Sequence, residues 1–147
     1  MDLETTVKLS LYNTIATTGR IPDSSEVSSG TGFSIHDVEA AFQQLFQKRL
    51  LVLEPGTKNR IRMAPPFSGI ETQHRVTIAG IQYYANCAWD AFGIAAALHQ
   101  DADIDSTCGD CDESMFFQIQ NQQPILQDSV IHFAVPAANW WKDIIYT

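Results

Sequence analysis

The sequence predicts an α+β fold. A winged-helix-like lobe of three helices and a hairpin covers residues 1–64, and a mixed or antiparallel sheet with one buried helix covers residues 65–147. Three observations carry this prediction. Apolar residues recur at helical spacing from Leu3 to Leu50. A turn-rich segment then separates two short apolar runs. Beyond Pro65-Pro66, strand-like runs flank one almost wholly apolar stretch, residues 86–98.

Leu3, Val7, Leu11 and Ile15 are spaced by four and predict a first helix that ends near Gly19. Pro22-Asp23-Ser24 opens a second, short helix with Ser24 or Ser25 as its cap, ending at Gly30. Ser34 caps a third, whose Val38, Ala41, Phe42, Leu45, Phe46 and Leu50 fit one helical stripe. Leu51-Val52-Leu53, the turn residues Glu54 to Asn59, and Arg60 to Met63 read as a hairpin. Residues 75–78 and 81–85 read as strands joined by Ala79-Gly80. Residues 86–98 are apolar nearly all round and predict a buried helix, in which Gly93 either costs about 1 kcal/mol or permits close packing. Strands are predicted at 103–107, 114–120, 124–127 and 130–135, a helical turn at 137–142 and a last strand from Asp143 to Thr147. Trp140-Trp141 reads as core.

Charge separates the two parts. In residues 1–64 seven Lys or Arg and seven Asp or Glu cancel, so residues 65–147 carry the whole net charge of −8. The third helix offers only Lys48 and Arg49 at its far end, and the hairpin Lys58, Arg60 and Arg62. A duplex-binding face needs clustered positive charge, so nucleic acid is not an expected partner. The sequence has no run of 18 apolar residues and no signal-peptide pattern, and the expected location is the cytoplasm. In that compartment the three cysteines, Cys87, Cys108 and Cys111, point to metal binding, thiol chemistry or packing rather than disulfides.

The sharpest constellation is Asn86-Cys87-Ala88-Trp89-Asp90. At a helix start, residues three apart face the same side of the first turn. Free amides and the helix dipole favour a thiolate at Cys87, while Asp90 opposes it electrostatically and can hold the proton that the thiol gives up. A thiolate beside a proton-carrying carboxyl suits a soft metal ion and a proton transfer. The same residues also fit a buried Cys and an ordinary capping Asp. Cys108-Gly109-Asp110-Cys111 is a C-x-x-C pair, compatible with a tight hairpin, a metal site or a redox pair. No second C-x-x-C exists, and the four histidines pair with no Ser or Cys at a readable spacing. Phosphate-binding glycine loops are absent as well.

Four segments resemble a known family. They are Arg62-Met63-Ala64-Pro65-Pro66-Phe67-Ser68, the run from Tyr83 to Ile94, Cys108, and His132-Phe133-Ala134-Val135-Pro136 with Trp140-Trp141. Together they resemble the organomercurial (alkylmercury) lyases, most specifically in Tyr84-x-x-Cys87-Ala88-x-Asp90. The resemblance implies an alkylmercury-lyase-like catalytic or metal-binding domain over 65–147 and protonolysis of carbon–mercury bonds. It implies that Cys87 takes the mercury and that Asp90 carries the proton to the departing carbon. A small organomercurial and small thiols are the implied partners, and no cofactor is required. Hg(II) enters as product and ligand of Cys87, with Cys108 and Cys111 as further candidate ligands and Zn(II) as an alternative ion. Cys108 resembles a cysteine regarded as structural in the family, and Cys111 has no counterpart.

The family's second catalytic cysteine follows the segment that corresponds to 140–146, beyond Thr147. The chain is therefore expected to be either a shortened lyase or a relative without that thiol. A missing C-terminal part would leave a sheet edge open for a second copy of the chain. A thiol-based Hg(II) or Zn(II) binding protein without turnover is the alternative expectation.

Overall fold

A computed structural model of the chain describes residues 1–125 and 127–145. Three helices come first: α1 (Leu3–Thr18), α2 (Ser24–Thr31) and α3 (Ile35–Gln47). Each has a polar N-cap. The Asp2 and Ser34 side chains accept from Thr5 N and Asp37 N. Asp23, rather than Ser24 or Ser25, caps α2, because its carboxylate accepts from Glu26 N while Glu26 reaches back to Asp23 N. The helix runs past Gly30 to Gly32, which takes the left-handed conformation (φ 79°) that closes it. Val7, Leu11 and Ile15 of α1 pack with Val38, Phe42 and Leu45 of α3, all essentially without solvent exposure. Phe46 and Leu50, on the predicted stripe of α3, are exposed.

The hairpin forms as β1 (Val52–Leu53) and β2 (Ile61–Ala64). A third strand, β3 (Phe67–Ser68), adds to it and was not predicted. The second sheet holds β4 (Arg75–Ile78), β5 (Ile81–Tyr84), β6 (Ala102–Thr107), β7 (Ser114–Gln120) and β8 (Gln123–Pro124). Its order is β5-β4-β6-β7-β8 and every pairing is antiparallel. Helix α4 (Ala88–Leu98) joins β5 to β6.

The two parts share one core. Val7, Phe42, Phe67, Val76, Tyr83, Ile94 and Ile104 belong to a single cluster of buried side chains. Polar contacts tie α1 to both parts of the sheet region: the Tyr83 hydroxyl of β5 donates to Ala16 O (2.6 Å), and the Tyr12 hydroxyl donates to Pro65 O (3.0 Å) in the turn between β2 and β3. Gly19, at the end of α1, lies so close to β5 that an added Cβ would stand 2.1 Å from Gln82 O.

Several expectations need correction. Helix α4 buries only Ala91, Ile94 and Ala95, because a sheet packs on one side of it; Trp89 is 57% exposed. Residues 130–135 form no strand, and the predicted strand at 124–127 reduces to Gln123–Pro124. Trp140 and Trp141 lie half-buried in a 3-10 turn (Ala137–Lys142) rather than in the core. Of the last predicted strand, residues 143–145 are not extended, and Tyr146 and Thr147, like Leu126, lie outside the described residues. Among the described residues no helix is long and apolar enough to cross a membrane.

Candidate active site

The turn from β5 into α4 places Cys87 and Asp90. Cys87 is the N-cap of α4, in extended conformation (φ −153°, ψ 176°), and its sulfur accepts the Asp90 backbone N–H at 3.5 Å. A thiol thus occupies the position that Ser, Thr or Asp usually fills, with Asp90 as the third helical residue. Both are half-buried.

Asn86 fixes the acid. Its Nδ2 donates to Asp90 Oδ2 (3.2 Å) and to Phe67 O (3.1 Å), linking the start of α4 to β3. Its Oδ1 is buried and has no partner among the described residues. The Phe67 ring packs between Tyr12 of α1 and Tyr83 of β5, with centroids at 6.3 and 5.6 Å. The acid is therefore held through one side chain to a strand that the N-terminal helices help to position.

Burial raises the Asp90 carboxyl above the ordinary carboxylate range, and bonds from Asn86 and Cys87 only partly oppose it. A carboxyl of this kind holds a proton more readily than a solvated one. Burial likewise pushes the Cys87 thiol up; the backbone N–H of Asp90 lowers it, and the Asp90 charge raises it again. This corrects the expectation that the helix amides would favour a thiolate. Desolvation outweighs the amides here.

Trp89, between the two groups in sequence, points outward. Its ring meets Phe133 edge-on (6.2 Å), and Phe133 packs on Trp140 (5.3 Å). Sequence reasoning missed this aromatic row and the role of Asn86. The i, i+4 spacing of Asn86 and Asp90 was the available signal for the second. Two clefts, of about 370 and 400 Å³, lie elsewhere. One is polar and flanked by Arg75, Tyr84 and Asp105; the other lies between α3, the 54–57 turn and Trp141–Ile145.

Cys108 and Cys111 lie in the β6–β7 turn. Among the described residues no three His, Cys, Asp or Glu side chains gather as a metal cage, so Cys87, Cys108 and Cys111 do not converge on one ion in this conformation. All three cysteines are free thiols. Cys108, partly exposed, has its thiol drawn below the ordinary range, chiefly by the backbone N–H of Asp110 and then that of Cys111. His74 is half-buried against Ser106 (Nδ1 to Oγ 2.6 Å), and burial lowers its basicity.

Fold and site together define an α+β protein that presents a half-buried thiol and a half-buried carboxyl on the first turn of a helix. The family model for alkylmercury lyase (MerB) matches residues 67–147, more than half of the chain, and the chain belongs to that family. Among solved structures, the mercury-bound form of MerB2 is similar, with a TM-score of 0.60 at 22% identity over 84% of this chain. The match covers 66% of the MerB2 chain, just under two thirds of its length, and the likeness supports the fold. No curated protein matches the sequence.

Proposed function

We propose that this chain cleaves carbon–mercury bonds by protonolysis, with Cys87 binding the mercury and Asp90 transferring the proton. The observation that carries the reading is the shared first turn of α4. There the Cys87 sulfur accepts the Asp90 amide, and burial raises the Asp90 carboxyl's hold on a proton. Membership of the alkylmercury lyase family supports the same assignment.

The resting thiol brings the proton with it. An alkylmercury–thiolate complex exchanges its small thiolate for Cys87: the Hg–S bond to the small ligand and the Cys87 S–H bond break, a Cys87 S–Hg bond forms, the proton passes to Asp90, and the small ligand leaves as thiolate. Mercury, a soft cation, prefers thiolate to any oxygen ligand nearby. A second thiolate, supplied by a small thiol, adds to the metal and loads electron density onto its carbon. Asp90 then gives its proton to that carbon as the Hg–C bond breaks. The hydrocarbon leaves, Hg(II) stays on the two thiolates, and Asp90 is a carboxylate again. No electron changes hands in the cycle. Asn86 acts as a positioning residue, because it bonds the carboxyl that moves the proton.

The test is incubation with phenylmercury and excess small thiol, with benzene as the readout. Benzene release is expected from the chain as it stands, none from Cys87→Ser, and a fall of roughly 100-fold or more from Asp90→Asn, the usual scale for a lost general acid. Equal release by Cys87→Ser would refute the assignment. Stoichiometric mercury uptake without benzene would leave a thiol-based metal-binding protein in its place.

A further inference from the structure

The C-x-x-C pair is untouched by that chemistry, yet the fold builds a defined place for it. Strands β6 and β7 stay paired as far as Thr107↔Ser114, so the whole reversal falls within residues 108–113. Cys108 N donates to Glu113 O (2.8 Å) and closes the base of the loop. Asp112, in the left-handed region (φ 57°), returns its N–H to Cys108 O (3.0 Å). Cys108 and Cys111 stand three residues apart within that one turn. Cys111 is exposed and Cys108 partly so, and both are free thiols. Two free thiols thus share one tight, solvent-facing turn.

We propose that this tip is a second soft-metal site, a two-thiolate clamp for Hg(II) separate from Cys87. The ligand count decides the class of ion. Zinc in a protein site takes four ligands, and among the described residues no third His, Cys, Asp or Glu joins the pair. A soft cation content with two sulfur ligands fits a pair that stands alone. The step is ligand exchange. Hg(II) carried by two small thiolates forms S–Hg bonds to Cys108 and Cys111, and the two protein S–H protons leave with the displaced small thiols. Nothing is oxidised or reduced. The clamp does not depend on turnover at Cys87.

The test uses Cys87→Ser, so that the turn at α4 supplies no sulfur. Hg(II) is added as its complex with a monothiol in excess, and retained metal is read by mass spectrometry under non-denaturing conditions. One Hg(II) per chain is expected, with Cys108 and Cys111 protected together from iodoacetamide. Adding Cys108→Ser or Cys111→Ser should cut retention by at least about tenfold, because the second thiol then binds as a separate molecule. Circular dichroism identical to the parent shows that these exposed-turn variants fold. No retention by Cys87→Ser, equal retention by the single-thiol variants, or Zn(II) held as tightly as Hg(II) would each overturn the clamp.

Discussion

Gly19→Ala probes the joint on which the position of the reactive turn depends. Gly19 ends α1 at φ 74°, where an L side chain costs about 1 kcal/mol. An alanine Cβ there would also stand 2.1 Å from Gln82 O and 3.1 Å from the Ile81 Cγ2. The first partner is backbone in β5, so relief requires helix and strand to separate by roughly 1 Å, at the 1–3 kcal/mol typical of overpacking. The bond from the Tyr83 hydroxyl to Ala16 O, 2.6 Å long, spans the same gap and would lengthen, removing about 1 kcal/mol more. The expected loss is about 3 to 5 kcal/mol, or a fall in Tm of roughly 10 °C for a domain of this size. Gly32→Ala is the internal control. Its φ is 79°, but an added Cβ meets nothing within 4 Å, so only the backbone cost of about 1 kcal/mol remains. Thermal and urea unfolding of the two variants give the comparison. Equal losses would refute the close approach of α1 to β5 and with it the single core that joins the two parts.

Iodoacetamide labelling of Cys87, in a Cys108→Ser/Cys111→Ser background, should rise with pH about a midpoint above the ordinary thiol range, because burial disfavours the thiolate. Asp90→Asn removes a charge and a hydrogen bond that both raise the thiol, so the midpoint should move down; no movement would show that the two groups do not interact. Glu26 is held down to about 2, first by its bond from Arg20 and then by the Asp23 backbone N–H. A depressed carboxyl stabilises the fold above its ordinary range and loses that contribution as pH falls towards about 2. Glu26→Gln should therefore lower Tm slightly at neutral pH, by the fraction of a kcal/mol usual for exposed pairs, and the two melting curves should converge in acid. A difference that persists at the acid end would place the effect elsewhere.

What the sequence made legible was local. Helical spacing of Val7, Leu11 and Ile15 and the Ser34 cap located α1 and α3, since both signals act within a turn or two. The cap of α2, expected at Ser24 or Ser25, lies one or two residues earlier. Asp23, Ser24 and Ser25 all offer cap oxygens, and only the reciprocal bond with Glu26 selects Asp23. Residues 130–135 are apolar except for His132, as a buried strand would be, but they gain no hydrogen-bonded neighbour strand. Phe133 packs instead on Trp89 and Trp140. Cys87 and Asp90 could be paired from their spacing. The upward shift of both groups could not be read, because it follows from burial by residues remote in sequence.

That remoteness gives the N-terminal helices a structural role. Tyr12 packs on Phe67 and Tyr83 reaches Ala16, so α1 braces β3 and β5 from one side. Phe67 offers its carbonyl to Asn86, and Asn86 in turn holds the Asp90 carboxyl. The acid is thus oriented by a short relay that begins on α1, while Cys87 is set by the helix it caps. Any change that shifts α1 along β5 should misplace the carboxyl before the sulfur. In the proposed reaction such a variant would still take up mercury, yet release hydrocarbon slowly, and the gap between the two readouts would measure how far the relay carries.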